Sequence, residues 1–404
     1  MVLIIGIIGK PSSGKTTFLN AACLTQAKVS EIPFTTIEPN KGIAYLKTRC
    51  MCKDLKVKDN PQNSICIDGI RFIPINIIDV AGLVPEAHKG RGLGNKFLND
   101  LIRADVLLHI VDITGSLDKS GKLISTGETD PYEDILFLEN EINLWFKDIL
   151  EREDWSKFTK GISIEKRRVV ESLYDRLSGV KVDKKQIINA LKDSNLEGRD
   201  PSKWNDIELL EFTKTLRRIS KPILIIANKI DKEIGEHNYN NLKKKYTKTI
   251  IPCSALAEYY LRKYHEEQKI HYIPGSNDFS IIDDSKLSSN EKELLIKIKT
   301  KILDKYEETG IQSALNYASF KIANMICVYP VSDVNTYSDN KGNILPDVFL
   351  VEKGTLLRDF VREKIHTDLA EHFMFGIDAK TKKRLGENYE LEDGDIIKIV
   401  SSRT

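Results

Sequence analysis

Residues 2–20 read VLIIGIIGKPSSGKTTFLN. A short apolar run enters a loop bounded by glycines, and the loop opens onto a helix-compatible stretch. An apolar run of this length, bounded by turn residues, suits a strand buried on both faces of a parallel sheet. The loop, Gly9-Lys10-Pro11-Ser12-Ser13-Gly14-Lys15-Thr16, fits G-x-x-x-x-G-K-[ST] in the strand–loop–helix setting that gives this spacing its chemistry. Successive backbone N–H groups and the N-terminus of the following helix offer fixed positive partial charges to phosphate oxygens. Lys15 would reach the β- and γ-phosphates, the Thr16 hydroxyl would ligate Mg²⁺, and Thr17 follows on the same first turn. The loop holds phosphates but does not choose the base.

Three further pieces follow the loop along the chain. Asp79-Val80-Ala81-Gly82 ends an apolar run, RFIPINIID at 71–79. An acid there can hold Mg²⁺ through water, and the Gly82 amide can meet a γ-phosphate. The loop FTTIEPN at 34–40 offers Thr36 to complete the metal shell. Asn228-Lys229-Ile230-Asp231 then follows the run PILIIAN. Asp231 would accept hydrogen bonds from guanine N1–H and the 2-amino group, which adenine lacks. Asn228 would bond the other edge of the base, and the Lys229 stem would cover its face. Ser254-Ala255, with Leu256 after them, would supply a backbone amide to O6. The expected ligands are therefore GTP and GDP with Mg²⁺.

The rest of the chain sets this site in a larger protein. A length of 404 residues exceeds one ordinary core and implies two or three domains. The composition, 41% hydrophobic and 30% charged, is that of a soluble globular protein, and 61 basic against 59 acidic residues leave a net charge of +2. Nucleic-acid contact therefore needs a local patch rather than a global polycation; none with DNA is expected. The apolar start lacks a basic flank and is too short to span a membrane, so a cytoplasmic location without membrane association is expected. Six cysteines do not make a disulfide framework at this size. Cys50, Cys52 and Cys66 cluster around a turn-rich stretch and could begin a zinc site, but a fourth ligand is missing nearby, and they read as small hairpin cysteines.

Apolar runs at 106–112 and 249–255 complete a set of sheet strands, but the pattern between 112 and 222 is helical. Ile135, Leu138, Ile142, Trp145, Phe146 and Ile149 form one stripe at spacings of three and four, and three more helical stretches follow. The reading is an α/β P-loop G domain of mostly parallel sheet at 1–130 and 220–325, interrupted at 131–219 by a helical insertion, a coiled-coil-like hairpin or small bundle. A small, separate α+β unit at 326–404 has short strands around one helix.

With these motifs placed, the sequence resembles the Obg-related GTPases of the YchF-type (Obg-like ATPase) branch in an archaeal-looking form. FTTIEPN, DVAGLVPEAHKGRGLGNKFL at 79–98, the helical insertion and the C-terminal unit carry the resemblance over essentially the whole chain. It implies a ubiquitin-like TGS domain at the C-terminus and contact with ribosomes or RNA. It also implies His109 as a catalytic histidine, where the residues alone equally allow a satisfied core histidine in VLLHIVD. Two positions depart from the pattern. Many members of the branch have lost N-K-x-D and prefer ATP, whereas this chain keeps it. The asparagine usual at Ser12, which helps hold potassium in related GTPases, is absent, so potassium activation is in doubt. Leu83 stands where many GTPases carry a water-orienting glutamine, which implies a slow intrinsic GTPase. Within this reading, a dual-specificity NTPase, an ATPase, and an RNA- or ribosome-binding module with negligible turnover remain the alternatives.

Overall fold

The computed structural model describes residues 2–23, 41–80, 100–151, 166–365 and 371–402. Thr36, Gly82 and Leu83, to which the sequence reading assigns roles, lie outside these residues. The central sheet contains β1 (Ile4–Ile8), β2 (Lys41–Arg49), β3 (Ile65–Ile67), β4 (Ile70–Asp79), β5 (Val106–Asp112), β6 (Ile223–Asn228) and β7 (Ile250–Cys253). Its order is β2-β4-β1-β5-β6-β7, with β3 pairing β4 at the edge. The ladders joining β4, β1, β5, β6 and β7 are all parallel, while β2 and β3 run antiparallel to β4.

Strict alternation assigns each strand residue to a face. Ile5, Ile7, Leu108, Ile110, Leu224 and Ile226 enter one core, with Phe18 and Ala21 of helix α1 (Lys15–Cys23). Ile8, Ile78 and Leu107 enter the other, which is completed by the helical insertion. That insertion comprises α3 (Pro131–Glu151), α4 (Lys166–Leu177), α5 (Lys184–Asp193) and α6 (Asp206–Ser220), α2 (Met51–Leu55) lying earlier beside β2. The stripe expected on α3 is buried throughout, and the Trp145 and Phe146 rings meet edge to face at 5.1 Å. The apolar faces of the insertion cover one side of the sheet. Helices α7 (Gly235–Lys245) and α8 (Ala255–Glu266) follow β6 and β7.

Strands β8 (Ile270–His271) and β9 (Ser280–Ile281) then form a two-stranded sheet, and a five-stranded C-terminal sheet follows. The C-terminal strands are β10 (Met325–Val331), β11 (Phe349–Glu352), β12 (Phe373–Asp378), β13 (Arg384–Leu385) and β14 (Asp395–Ser401), in the order β11-β10-β14-β12-β13. Ile326, Val328 and Ile397 face a core of their own with Leu357 and Phe360. On the opposite face, Cys327, Tyr329, Val331 and Ile396 join the core that holds Leu46, Cys50 and Ile73. The unit read as separate thus shares one face with the first domain. The first-domain loop on which it docks places Asp59 beside Cys50, Cys52 and Cys66, where the sequence offered no fourth ligand.

Candidate nucleotide site

The parallel strands end together. Ile7 lies opposite Asp79, Ile8 opposite His109, Asp112 opposite Asn228, and Asn228 opposite Cys253. The residues that end or follow β1, β4, β5, β6 and β7 therefore share one edge of the sheet. In open α/β sheets that edge, beyond the carboxyl ends of the strands, is where ligands bind.

The first loop of this edge runs from Gly9 to Gly14, with φ of 147° at Gly9, 62° at Ser12 and 99° at Gly14. A Cβ on Gly9 would lie 2.5 Å from the Ile110 carbonyl oxygen, and one on Gly14 would lie 2.2 Å from Asn228 Nδ2. Both glycines are required by the approach of neighbouring strands as much as by their dihedrals. Helix α1 begins at Lys15, and Thr16 and Thr17 occupy its first turn. The Lys15 ammonium donates to the carbonyls of Gly9 at 2.9 Å and Lys10 at 2.8 Å, spanning the loop. Burial lowers the Lys15 pKa, with the Asp79 charge opposing. Burial likewise raises that of Asp79, with Lys15 opposing and Asp100 adding to the rise. Asp79 Oδ1 and Ser13 Oγ are buried with no hydrogen-bond partner among the described residues.

Lys10 differs from its neighbours in the loop. Its ammonium donates to Asp134 Oδ1 at 2.5 Å and to the Asp118 carbonyl at 3.1 Å. Lys10 therefore belongs to the phosphate loop through its backbone, while its side chain ties the loop to the first turn of α3.

The base-reading residues converge from β6 and β7. Asn228 is 3% exposed. Its Nδ2 donates to the Ser13 carbonyl at 2.9 Å, and its Oδ1 accepts from the Ala255 amide at 3.1 Å. Both groups, assigned to the base from sequence, pin the phosphate loop to the turn after β7, each keeping a further N–H or lone pair. Lys229, at φ 66°, donates to the Ser12 carbonyl at 3.1 Å and to Asp112 Oδ2 at 2.8 Å. Asp231 Oδ1 accepts from Ser254 Oγ at 2.7 Å, and Ser254 also caps α8. Leu256 follows on the first turn of that helix, 45% exposed.

His109 lies inside β5 at 1% exposure, its Nδ1 without a partner among the described residues. Burial pushes its pKa down to about 3, with the Lys15 and Lys10 charges adding to the fall. The ring is buried as the core reading expects, but its unpartnered Nδ1 is not that of a satisfied core histidine.

Two functional residues escape the sequence reading. Asp112 is buried and accepts from the Thr114 amide at 3.0 Å, Thr114 Oγ1 at 2.6 Å and Ser116 Oγ at 2.8 Å, besides Lys229. Burial opposes its ionisation, but these hydrogen bonds hold its pKa below the usual value. An acid ending a strand beside Asn228 was its only signal. Asp134 gave none, because only the path of the 113–130 loop brings it to Lys10.

Residues 4–141 match the family model described as 50S ribosome-binding GTPase. Residues 226–333 match Obg-like GTPase YGR210-like, G4 motif-containing domain, and residues 336–401 match the TGS domain. The chain is 47% identical over 399 residues to the Methanocaldococcus jannaschii protein named Uncharacterized GTP-binding protein MJ1332, covering 98% of this chain and 99% of that one. Ribosome-binding ATPase YchF of Bacillus subtilis is 26% identical over 415 residues, covering 98% of both. Among solved structures, a GTP binding protein from Pyrococcus horikoshii is 37% identical with a TM-score of 0.76, covering 99% of this chain and 100% of that one. The Schizosaccharomyces pombe YchF GTPase shares the fold at 17% identity and a TM-score of 0.57, over 98% of this chain and 97% of that one. With a relative this similar over nearly its whole length, the chain belongs to the Obg-like, YchF-type family of P-loop GTPases, with a C-terminal TGS domain.

Proposed function

We propose that this protein is a guanine-nucleotide switch that hydrolyses GTP slowly to GDP and phosphate and reports its state to ribosomes or RNA in the cytoplasm. The observation that carries the reading is the Asp231 carboxylate, fixed by Ser254 at the same sheet edge as the phosphate loop. Guanine offers two N–H groups to such a carboxylate. Adenine offers none, and would leave a desolvated charge unpaired. The Lys229 stem would cover the base. With the Ala255 amide engaged by Asn228, the Leu256 amide is the donor left for O6.

The loop and Asp79 fit a phosphate–metal group, since the glycine cradle leaves no room for a Cβ and Asp79 Oδ1 is buried without a partner among the described residues. Thr16 and Asp79, with Thr36, would hold Mg²⁺, which when bound neutralises the charge on the β- and γ-phosphates. Lys15 would then exchange the Gly9 and Lys10 carbonyls for phosphate oxygens. Thr36 and the Gly82 amide would sense the γ-phosphate, and its loss would release the segments that carry them. The Leu83 side chain can neither donate nor accept a hydrogen bond, and burial disfavours a charged His109 ring. Turnover therefore waits on a partner that orients the water. Ser12 leaves potassium outside this scheme.

In the same reading the G domain comprises 1–130 and 220–325, and the helices of 131–219 and the TGS unit of 326–404 carry its signal. RNA contact would be electrostatic and salt-sensitive. The basic turn at 380–384 is exposed, and three of its side chains also make contacts within the protein. Lys380 donates to the Gly394 carbonyl, Lys382 to the Val334 carbonyl, and Arg384 stacks 3.6 Å from the Phe375 ring centroid.

Competition binding of GTP against ATP tests the reading directly. Preference for GTP is expected, with a loss of at least ~100-fold in selectivity for Asp231→Asn. Equal affinities would instead assign the ATPase or dual-specificity alternative. Single-turnover hydrolysis with and without ribosomes separates a switch from a binding module, which would show no acceleration.

A further inference from the structure

The hairpin that carries the cysteines is made of one contiguous stretch, C-x-C-x₆-D-x₆-C over residues 50–66. Cys50 follows β2 and precedes α2, with its amide donating to the Gly69 carbonyl at 2.9 Å. Cys52 lies in α2 and Cys66 at the middle of β3, while Asp59 lies on the loop between them. The three Sγ atoms and one Asp59 carboxylate oxygen all fall within 4.8 Å of one another. Cys52 Sγ and Cys66 Sγ are 3.8 Å apart, and Cys50 Sγ donates to Asp59 Oδ2 at 3.0 Å. Zn–S bonds of about 2.3 Å at the tetrahedral angle require S···S edges of about 3.8 Å. One edge already has that length, and the longest pair needs to close by no more than about 1 Å to match it.

The surroundings add a second observation. Arg71, on β4, is fully buried, with Nη1 3.5 Å from Asp59 Oδ2. Its Nε and Nη1 have no hydrogen-bond partner among the described residues. Asp59 balances its charge, yet a buried guanidinium with two unbonded nitrogens still lacks the acceptors that thiolate sulfurs would provide. Three thiolates and a carboxylate around a divalent ion carry two net negative charges, and Arg71 then offsets one of them. Arg71 would also orient the carboxylate, as outer-shell partners of metal ligands do.

We propose that Cys50, Cys52, Asp59 and Cys66 bind one structural Zn²⁺, which braces the joint between the G domain and the TGS unit. The four donors leave no open position, so the ion is structural rather than catalytic. Its place in the joint is set by its own loop. Asn60 and Gln62 amides donate to the carbonyls of Ile344 and Pro346, Asn63 bonds the Val348 backbone both ways, and Arg71 donates to the Leu345 carbonyl at 2.6 Å. Arg71 also lies over the Tyr329 ring, 5.6 Å from its centroid. Fixing residues 50–66 with a metal fixes the surface on which the C-terminal sheet rests.

The test uses the full chain, purified with reductant and without chelator, its metal content measured by mass spectrometry. One zinc per chain is expected. Replacement by Co²⁺ should give thiolate-to-metal charge-transfer absorption and the visible bands of a tetrahedral centre. Cys66→Ser and Asp59→Asn should each lower occupancy, with the charge-transfer intensity of Cys66→Ser reduced by about one third, one thiolate in three. Where a variant does not fold, a mercurial thiol reagent applied to the native chain should release one zinc into a chelating dye. Folded protein without zinc and without a cobalt charge-transfer band would overturn the proposal, as would full zinc occupancy in Cys66→Ser. A Cys52–Cys66 disulfide as the native state would do the same.

Discussion

The ion pair between Lys10 and Asp134 gives the most quantitative test of how the phosphate loop is held. The side chains are 7% and 8% exposed and 2.5 Å apart, so neither charge is solvated. Removing one partner of a buried pair costs about 3–5 kcal/mol, because the other charge stays in the interior. After Asp134→Ala, Lys10 keeps the Asp118 carbonyl at 3.1 Å, which places the loss at the lower end, about 3 kcal/mol. The pair itself contributes less than that figure. Burial outweighs Lys10 in setting the Asp134 pKa and holds it above the usual carboxylate value. Removing both charges with Lys10→Met and Asp134→Leu should therefore leave stability within about 1 kcal/mol of the parent protein. Urea unfolding of the parent, both single variants and the double variant closes the cycle, with midpoints compared at unchanged slope. A loss under about 1 kcal/mol for Asp134→Ala, or a double variant as unstable as the sum of the singles, would refute the assignment of a buried, coupled pair.

Three other outcomes follow from the same geometry. Gly14→Ala places a Cβ against Asn228 at a φ of 99°; it should lower stability by about 1–3 kcal/mol and abolish binding of a fluorescent GTP analogue in an anisotropy titration. Lys229→Met keeps the stem over the base but strips Asp112 of its cation; GTP affinity by calorimetry should fall about tenfold, roughly one hydrogen bond to a charged group. Lys221 donates to the Ile102 and Ala104 carbonyls, and burial pulls its pKa from 10.5 down to about 8. Between these values the unfolded chain binds the extra proton, so stability should rise from about pH 8 to pH 10, by up to about 3 kcal/mol, and Lys221→Met should flatten that rise in urea midpoints.

The sheet and its nucleotide edge were legible because their signals are local. VLIIGII, RFIPINIID and PILIIAN are each short apolar runs that end in chemistry, and a parallel sheet brings strand ends together without further instruction. What was not legible depends on partners far apart in sequence. Asn228 looks like a base reader in isolation, yet its amide is used on Ser13 and Ala255, more than two hundred residues and 27 residues away respectively. Asp59 is one acid among 59 Asp and Glu residues until the turn after α2 folds it back toward Cys50. The alternation of Cys327, Tyr329 and Val331 against Ile326 and Val328 announces two apolar faces, but not that one of them rests on the first domain.

Strand β4 links these two parts of the molecule. Arg71 at its start faces the cysteine cluster and Leu345, and Asp79 at its end belongs to the proposed metal shell. Eight residues at about 3.3 Å each separate them by about 26 Å along a central, fully laddered strand. Such a strand does not stretch, so a displacement at Asp79 is either absorbed locally or carried to Arg71 as a rigid shift. In the proposed switch this makes a specific demand on the joint. Exchange of the amides at 344–348, which lie against residues 60–63 and Arg71, should differ between the GDP-bound chain and a chain holding a non-hydrolysable GTP analogue. Equal protection in both states, with changes confined to the loop after β1, would mean that β4 insulates the C-terminal unit. The nucleotide signal would then leave the site through Lys10, Asp134 and the helices behind them.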